Sequence, residues 1–380
     1  MTQLPIYTEE HELFRRTIRE FVAVEITPFV NEWDEGEEFP RELYQKVGAI
    51  GLFGTGFDEQ FGGLGEHDAI LLSIISEEFA KCGAGGVAAS LFSNYIAAPP
   101  IQLGGSEEVK AEILPGMLSG DLICALAITE PGAGSDVAGL TTTARRDGDH
   151  YVVDGQKTYI TSGMRADYVT TAVRTGGPGA AGVSLLVIPT NSQGFSATPL
   201  AKMGWWCSDT ATLYFDECRV PAKYLLGVEN AGFHLIMENF NFERLQMISG
   251  VVGAARVCYD EALAWARERQ TFGQRLADHQ VIRHKLVEMD RHINATRAWM
   301  EQLAWRIQQG DKPVAELSEC KVQATLTMEF CAREAAQILG GASYIRGNPV
   351  ERIYREVRVN AIGGGSEEIM RDLAARQLGI

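Results

Sequence analysis

The spacing of apolar residues divides this chain into three parts. From Tyr7 to Val30 they recur at steps of three and four, the period of a helix with one buried face. After Asp121 the pattern changes to short β-branched and aromatic runs separated by Gly, Pro and Asn, and from Gly232 the helical period returns. The pattern predicts an α+β fold with a helical N-terminal domain at 1–120, a small antiparallel, barrel-like β domain at 121–229 and a C-terminal bundle of about four helices at 230–380.

Local signals refine this division. Thr8, followed by Glu10 and His11, is a plausible helix start, and Val314–Leu339 has the spacing of a long helix. Asp147-Gly148 and Asp154-Gly155 are the strongest short-range hairpin signals that a sequence offers. The Trp205-Trp206 pair is predicted to pack between domains.

Charge and cysteine content exclude several classes of function. The chain has 380 residues, a formal net charge of −16 and seven cysteines without a Cys-x-x-Cys pair. The net negative charge argues against nucleic-acid binding, although a few Arg and Lys side chains could hold one anionic ligand. Scattered cysteines indicate neither disulfides nor a metal site, residues 1–16 have no apolar signal core, and no apolar run reaches membrane-spanning length. We therefore expect a cytoplasmic protein with no metal, no nucleic acid and no membrane partner.

The stretch from Ala127 to Gly163 gives the strongest indication of a ligand. It reads Ala-Ile-Thr-Glu-Pro-Gly-Ala-Gly-Ser-Asp at 127–136 and Lys-Thr-Tyr-Ile-Thr-Ser-Gly at 157–163. The hydroxyls of Thr129, Ser135 and Thr161 stand near glycines, so a planar heteroaromatic ring or a phosphate can approach backbone N–H groups. Together the two strings predict a cofactor cradle.

Both strings resemble flavin-contacting segments of the acyl-CoA dehydrogenase family, whose members use FAD to desaturate acyl-CoA thioesters. The resemblance extends from the first helix to the last, and it implies FAD as the cofactor and the same order of domains. It implies flavin contacts from Ala127, Ile128, Thr129, Gly134, Ser135, Tyr159 and Thr161. Tyr159 stands where the family more often has Trp, a change that keeps an aromatic ring available for stacking.

Desaturation beside a thioester needs a base for the α proton, a polarised carbonyl group and a hydride acceptor. No protein side chain accepts hydride, so the cofactor must. Many family members carry the base as a Glu in a loop near the C-terminus, where this chain has Gly364 within Ile362–Met370. A second subgroup, which includes isovaleryl- and long-chain acyl-CoA dehydrogenases, has a Glu-Arg pair on the first long C-terminal helix.

Glu243-Arg244 occupies that second position, and Glu243 is the predicted base. Most helical glutamates are solvated, but apolar neighbours around Glu243 would raise its pKa and suit it to proton abstraction near neutral pH. The resemblance also implies that the backbone N–H of Gly364 and a ribityl hydroxyl of the flavin would polarise the thioester carbonyl. The resemblance implies substrate contacts from Ser135, Asn241, Arg244 and Gly364.

Three further segments, at 269–273, 337–341 and 366–368, resemble those that complete the FAD site in this family. Arg269–Gly273 and Gln337–Gly341 match segments that reach the FAD of a neighbouring subunit, although Ser343 replaces a glycine usual in the family. Without the family, Arg269 could be a surface charge. The implied cofactor contacts are Arg269, Phe272, Gln280, Gln337, Gly341, Ser366 and Glu368. Sites completed by a neighbour imply a homo-oligomer, with a tetramer as the expectation.

The sequence therefore predicts conversion of an acyl-CoA to its trans-2-enoyl-CoA, with an electron-transfer flavoprotein as electron acceptor. Gly363 and Gly364 widen the loop beside the thioester, and a base on the helix is typical of enzymes for longer or branched chains, so we expect a medium-to-long or methyl-branched acyl group. Two alternatives stay open. One is a flavin monooxygenase or oxidase on the same fold, which would not need Glu243, and the other is a non-enzymatic acyl-CoA-binding scaffold.

Overall fold

A computed structural model of the chain describes residues 6–65 and 67–380. Helices form its first and last parts and a β-sheet forms its middle, which confirms the predicted α+β fold. Thr8 caps the first helix as predicted, because its hydroxyl accepts a hydrogen bond from the His11 N–H at 3.2 Å. The N-terminal helices are α1 Glu9–Glu25, α2 Val30–Gly36, α3 Glu42–Ala49, α4 Ala69–Ala80, α5 Gly85–Leu91, α6 Ser93–Ala97, α7 Pro99–Gly104 and α8 Glu107–Ser119.

The middle part is one twisted sheet with the strand order β6-β7-β3-β2-β4-β5-β8, and β1 pairs with β4. Most neighbours run antiparallel, as predicted, while β1 and β2 pair with β4 in the parallel direction. The strands are β1 Cys124–Ala127, β2 Thr143–Asp147, β3 His150–Thr161, β4 Tyr168–Arg174, β5 Val183–Pro189, β6 Phe195–Pro199, β7 Thr210–Pro221 and β8 Leu225–Leu226.

The two Asp-Gly pairs behave differently in the sheet. Asp147-Gly148 leads into the predicted hairpin, because Asp147 pairs with His150 across the turn. The hairpin predicted at Asp154-Gly155 is wrong, since β3 continues through this pair with a bulge between Val153 and Gly155. Gly155 has φ +143°, and a Cβ there would lie 2.7 Å from the Thr142 Cα. Glycine is therefore required for the close approach of a neighbouring backbone, not for a turn.

The C-terminal part contains five helices within 230–380, where the sequence predicted about four. The difference arises at Gly363–Gly365, which separates the last two helices. The predicted helix Val314–Leu339 is confirmed. The elements are α9 Gly232–Glu268, the two-stranded hairpin β9 Gln270–Thr271 and β10 Gln274–Arg275, α10 Gln280–Gln308, α11 Val314–Leu339, α12 Pro349–Asn360 and α13 Glu367–Leu378.

The three parts pack against one another around shared helices and one aromatic side chain. Helix α4 of the first part contacts α9 of the last, and the buried apolar residues form one continuous core. Trp206 lies against two guanidinium groups, with Arg355 at 3.7 Å and Arg346 at 4.4 Å from its ring centre. Arg355 also pairs with Asp34 of α2 at 2.9 Å. The predicted packing between domains is thus confirmed for Trp206.

None of the helices in the described part of the chain is long and apolar enough to cross a membrane.

The bulge in β3 predicts a difference between the substitution of a glycine within that strand and of one in the turn before it. Gly148→Ala should cost about 1–2 kcal/mol, because Gly148 has φ +63° but a Cβ there has no atom within 4 Å. Gly155→Ala should carry an additional overpacking cost of about 1–3 kcal/mol from the Thr142 backbone. Urea unfolding of the two variants measures the difference. Equal losses would show that the strand relaxes around the new methyl group.

Candidate functional site

The two cradle strings lie side by side because a buried lysine joins them. The Lys157 Nζ donates to the Ile128 carbonyl at 3.0 Å and to the Glu130 Oε1 at 2.8 Å. A backbone bond from the Thr158 N–H to the Thr129 carbonyl, at 2.9 Å, runs beside it. The segments 127–136 and 157–163, which together form the predicted cradle, are therefore joined by hydrogen bonds.

The Glu130 carboxylate is buried and saturated with hydrogen-bond donors. Besides Lys157, it accepts from the Thr141 N–H and hydroxyl, both at 2.7 Å, and from the Thr142 N–H at 2.9 Å. Burial alone would raise the pKa of Glu130, but Lys157 and these donors outweigh burial and lower the pKa to about 2. Glu130 therefore stays ionised across the physiological pH range. Burial lowers the pKa of Lys157 to about 8, although the charge of Glu130 opposes that shift.

An irregular step in β3 turns an aromatic ring out of the cradle. Between Lys157 and Ile160 the pairing with β7 shifts by one residue, so Lys157 and Ile160 are both buried while Tyr159 is 70% exposed. Tyr159 takes a left-handed backbone conformation, φ +61°, to do so. An exposed aromatic ring held by a strained backbone indicates a ligand contact.

The glycine loop at 132–134 leaves room for such a ligand. A Cβ on Gly132 would have no neighbour within 4 Å, and one on Gly134 would meet only the Thr129 methyl group at 3.6 Å. Ser135 is exposed, Ala127 and Ile128 are buried beneath the loop, and Thr129 and Thr161 are half-buried. This open, glycine-lined surface with hydroxyls at its edge fits one face of a flavin.

The predicted base faces the loop between α12 and α13. A Cβ built on Gly364 would lie 3.6 Å from the Glu243 Oε1. The Glu243 Oε2 is shielded from solvent and has no hydrogen-bond partner among the described residues. Burial raises the pKa of Glu243 to about 7, although Arg244 and Lys321 act in the opposite direction. An unpartnered carboxylate of this kind is poised to take a proton.

Arg244 is buried and connects α9 to the same loop. Its Nε donates to the Gly364 carbonyl at 3.4 Å, and its guanidinium lies 5.9 Å from the centre of the Phe240 ring. The side chain of Asn241, a predicted substrate contact, lies outside the part of the chain that the structure describes.

Sequence reasoning missed Lys321, on α11, which also reaches this loop. Lys321 is 1% exposed and its Nζ donates to the Gly365 carbonyl at 2.6 Å. Burial lowers its pKa to about 8, while Glu243 and Glu367 oppose that shift. A signal was available in the sequence, because Lys321 lies on the same helical face as the apolar residues Leu317, Ala324 and Met328, all of which are buried.

A second group of predicted cofactor contacts lines a cavity of about 430 Å³. Arg269 and Thr271 form one side of this cavity, and the segment 338–342, which includes Gly341, forms the other. A cation opposite open glycine backbone suits a pyrophosphate. Gln337 is exposed at the end of α11 next to this segment, and Gln280 is exposed at the start of α10.

Phe272 occupies the tip of the β9–β10 hairpin. Phe272 and Gly273 have φ values of +50° and +79°, as the two central residues of a type I′ turn require. The ring of Phe272 is 98% exposed. Ser366 caps α13 by accepting from the Ile369 N–H at 3.4 Å, and Glu368 is exposed in the first turn of that helix.

Comparisons with known proteins agree with this geometry. Family profiles of the acyl-CoA dehydrogenase N-terminal, middle and C-terminal domains match residues 8–121, 125–218 and 230–379. The mitochondrial long-chain specific acyl-CoA dehydrogenase of Sus scrofa is 36% identical over 377 residues, which are 98% of this chain and 87% of that protein.

Solved structures resemble the chain over its whole length. A probable acyl-CoA dehydrogenase from Mycobacterium abscessus is 45% identical with a TM-score of 0.96, and the match covers 98% of this chain and 100% of the other. A structure described as the electron transferring flavoprotein of Acidaminococcus fermentans is 30% identical with a TM-score of 0.94, covering 100% of this chain and 99% of the other.

The buried pair predicts the effect of removing Lys157. Lys157→Met should cost about 3–5 kcal/mol, because the Glu130 carboxylate is left buried beside three donors without its cation. Lys223→Met, which removes an exposed ion pair with Glu108, is the control and should cost far less. Urea unfolding at pH 7 measures both. Adding Glu130→Gln to Lys157→Met should recover part of the loss, and a Lys157→Met variant as stable as the Lys223→Met control would contradict the role of the pair.

Proposed function

This chain belongs to the acyl-CoA dehydrogenase family and is an FAD-dependent acyl-CoA dehydrogenase, and we propose that Glu243 is the base of its reaction. The observation that supports this base most strongly is a distance: the Glu243 Oε1 lies 3.6 Å from the position that a Cβ on residue 364 would occupy. A glutamate on the loop and a glutamate on α9 would compete for the same space. Gly364 leaves that space to Glu243, which supports the proposal that the chain belongs to the subgroup with the base on the helix.

The surroundings of Glu243 suit proton abstraction. With a pKa of about 7, its carboxyl is substantially ionised at neutral pH and is a stronger base than an exposed glutamate. Its unpartnered Oε2 needs no hydrogen bond to be broken before it accepts a proton. In the reaction, the α C–H bond breaks, the proton moves to Glu243 and a double bond forms between the α and β carbons.

The thioester carbonyl is polarised by the backbone N–H of Gly364. A backbone donor keeps its position whatever side chain the residue carries, so the replacement of a loop glutamate by glycine does not remove it. Gly364 has φ +63°, and the contact from Arg244 to its carbonyl oxygen restrains the peptide unit that directly follows the one containing the Gly364 N–H. Arg244 thus helps to hold the loop that forms part of the proposed substrate site.

FAD, when bound, accepts the hydride that leaves the β carbon. The cradle residues would hold the flavin ring, with Tyr159 beside it and the hydroxyls of Thr129, Ser135 and Thr161 at its edge. Arg269 and Gly341 would hold the pyrophosphate of a cofactor shared with a neighbouring subunit. Phe272, Gln280, Gln337, Ser366 and Glu368 complete the proposed set.

The proposed substrate is a medium-to-long or methyl-branched acyl-CoA. The curated relative from Sus scrofa is named for long chains. Within the site, Met247 is the nearest side chain to residue 364, since its Sδ would lie 2.6 Å from a Cβ there. A flexible thioether beside three glycines can adapt to acyl groups of different shape.

An electron-transfer flavoprotein is the proposed electron acceptor, and a cytoplasmic homotetramer is the proposed assembly. The similar structure described as an electron transferring flavoprotein supports the acceptor. The exposed ring of Phe272 on a rigid turn supports the assembly, because such a ring is stabilised when a second subunit covers it.

Anaerobic bleaching of the flavin by a panel of acyl-CoAs tests the base. Wild type should bleach with medium-to-long or branched substrates, and its rate should fall as the pH decreases through about 7, because Glu243 is then protonated. Glu243→Gln should retain FAD but lose the rate by roughly 100-fold or more.

Glu261→Gln is the matched control, since Glu261 also lies on α9 and burial also raises its pKa. This control should bleach at the wild-type rate. If Glu243→Gln bleaches as fast, the base lies elsewhere. If wild type bleaches with no acyl-CoA in the panel, the proposed substrate class is wrong.

Phe272→Asn tests the proposed assembly. Asparagine tolerates the left-handed conformation at this turn, so the substitution removes the ring without straining the hairpin. The variant should dissociate at a higher protein concentration than wild type and release FAD more readily, as measured by light scattering and ultrafiltration. Val228→Ala, at another exposed apolar residue, is the control and should behave as wild type. A Phe272→Asn variant with unchanged mass and FAD content would contradict the role of the ring.

A further inference from the structure

The loop that carries the proposed carbonyl-binding N–H lacks side chains to hold it. Residues 363–365 are all glycine, and Gly364 and Gly365 have φ values of +63° and +109°. Glycine has more conformational freedom than any other residue, so such a loop explores many arrangements unless other elements restrain it. Orientation of the Gly364 N–H must therefore come from outside the loop.

Two cations on neighbouring helices bind consecutive carbonyl groups of this loop. The Arg244 Nε, on α9, donates to the Gly364 carbonyl at 3.4 Å, and the Lys321 Nζ, on α11, donates to the Gly365 carbonyl at 2.6 Å. The lysine bond is the shorter one and its donor is the more deeply buried, at 1% exposure. A third restraint is a backbone bond of 2.8 Å from the Gly363 N–H to the Val359 carbonyl.

The burial of Lys321 carries a cost that an apolar residue would avoid. A methionine of similar volume would fill the same space on α11 without desolvating a charge. The ammonium is compensated by the Gly365 carbonyl and by the negative charges of Glu243 on α9 and Glu367 on α13, while Arg244 repels it. Glu367 is itself paired with Arg371 at 2.9 Å, whereas the Glu243 Oε2 accepts no hydrogen bond within the described part of the chain.

We propose that Lys321 is a positioning residue for the dehydrogenation: it anchors the loop at the Gly365 carbonyl, two peptide units after the one that contains the Gly364 N–H, and so keeps that N–H directed at the thioester, and its charge favours the ionised form of Glu243. This inference rests on the proposed function, because it assumes the roles of Glu243 and Gly364. It assigns two effects to one ammonium group. The first is geometric and the second electrostatic, and the two can be measured separately.

The electrostatic effect is measured without turnover, by infrared titration of the Glu243 carboxyl in the FAD-bound protein between pH 5 and 9. The Glu243 band is obtained by subtracting the spectrum of Glu243→Gln, because Glu356 also has a raised pKa, about 8, and titrates nearby. Lys321→Met should raise the pKa of Glu243 by about one pH unit or more, since a neighbouring cation is lost. Lys321→Arg keeps the charge and should leave that pKa near the wild-type value.

The geometric effect is measured by flavin reduction in the pH range where Glu243 is ionised in both proteins. There Lys321→Met should remain roughly 10- to 100-fold slower than wild type, because the Gly364 N–H is no longer held in place. Lys202→Met is the matched control: Lys202 also donates to a backbone carbonyl, that of Ser208, at 2.6 Å. This control should change neither the pKa of Glu243 nor the plateau rate.

The outcomes separate the inference from the proposed function. An unchanged pKa of Glu243 in Lys321→Met, or an equal rise in Lys321→Met and Lys321→Arg, would overturn the electrostatic effect. A plateau rate equal to wild type would overturn the geometric one. If instead Glu243→Gln itself bleaches at the wild-type rate, the base assignment fails, and this result does not depend on any Lys321 variant.

Discussion

The buried ion pair between Lys157 and Glu130 is the interaction on which the cofactor cradle depends. It joins residues 27 positions apart in the sequence and leaves neither charge without partners. A buried pair is stable only when every donor and acceptor is used, and Thr141 and Thr142 supply the remaining donors to the carboxylate. With the pair in place, the segment that exposes Tyr159 lies next to the segment that contains the open glycine loop.

The surroundings of Glu243, the proposed base, shift its pKa in the direction opposite to that of Glu130. Glu130 and Glu243 are both shielded carboxylates, yet the pKa of the first is lowered to about 2 and that of the second is raised to about 7. The charge of Lys157 and the hydrogen bonds from Lys157 and the two threonines lower the pKa of Glu130, whereas burial dominates at Glu243, whose Oε2 has no hydrogen-bond partner within the described residues. One environment builds a structural anchor, and the other leaves a carboxylate available to a substrate proton.

At the proposed substrate site, the backbone N–H of Gly364 contacts the thioester, and side chains from other helices hold the loop that carries this N–H. Arg244 and Lys321 extend from two long helices to consecutive carbonyl groups of a glycine loop. This arrangement explains how a loop of three glycines can form part of a precise site. It also explains why the base can lie on α9, since the loop contributes its amide whether or not it carries a carboxylate.

The sequence by itself determined the order of helical and β parts, the long helix Val314–Leu339, the cap at Thr8 and the family, because periodicity, caps and motifs are local properties. It also directed attention to Glu243 through its apolar neighbours. Only the tertiary structure decided that β3 continues through Asp154-Gly155, since the clash with the Thr142 backbone comes from another strand. The tertiary structure also decided that Lys157 pairs with Glu130 and that Lys321 donates a hydrogen bond to the Gly365 carbonyl. A buried charge is defined by its partners, and those partners lie far along the chain.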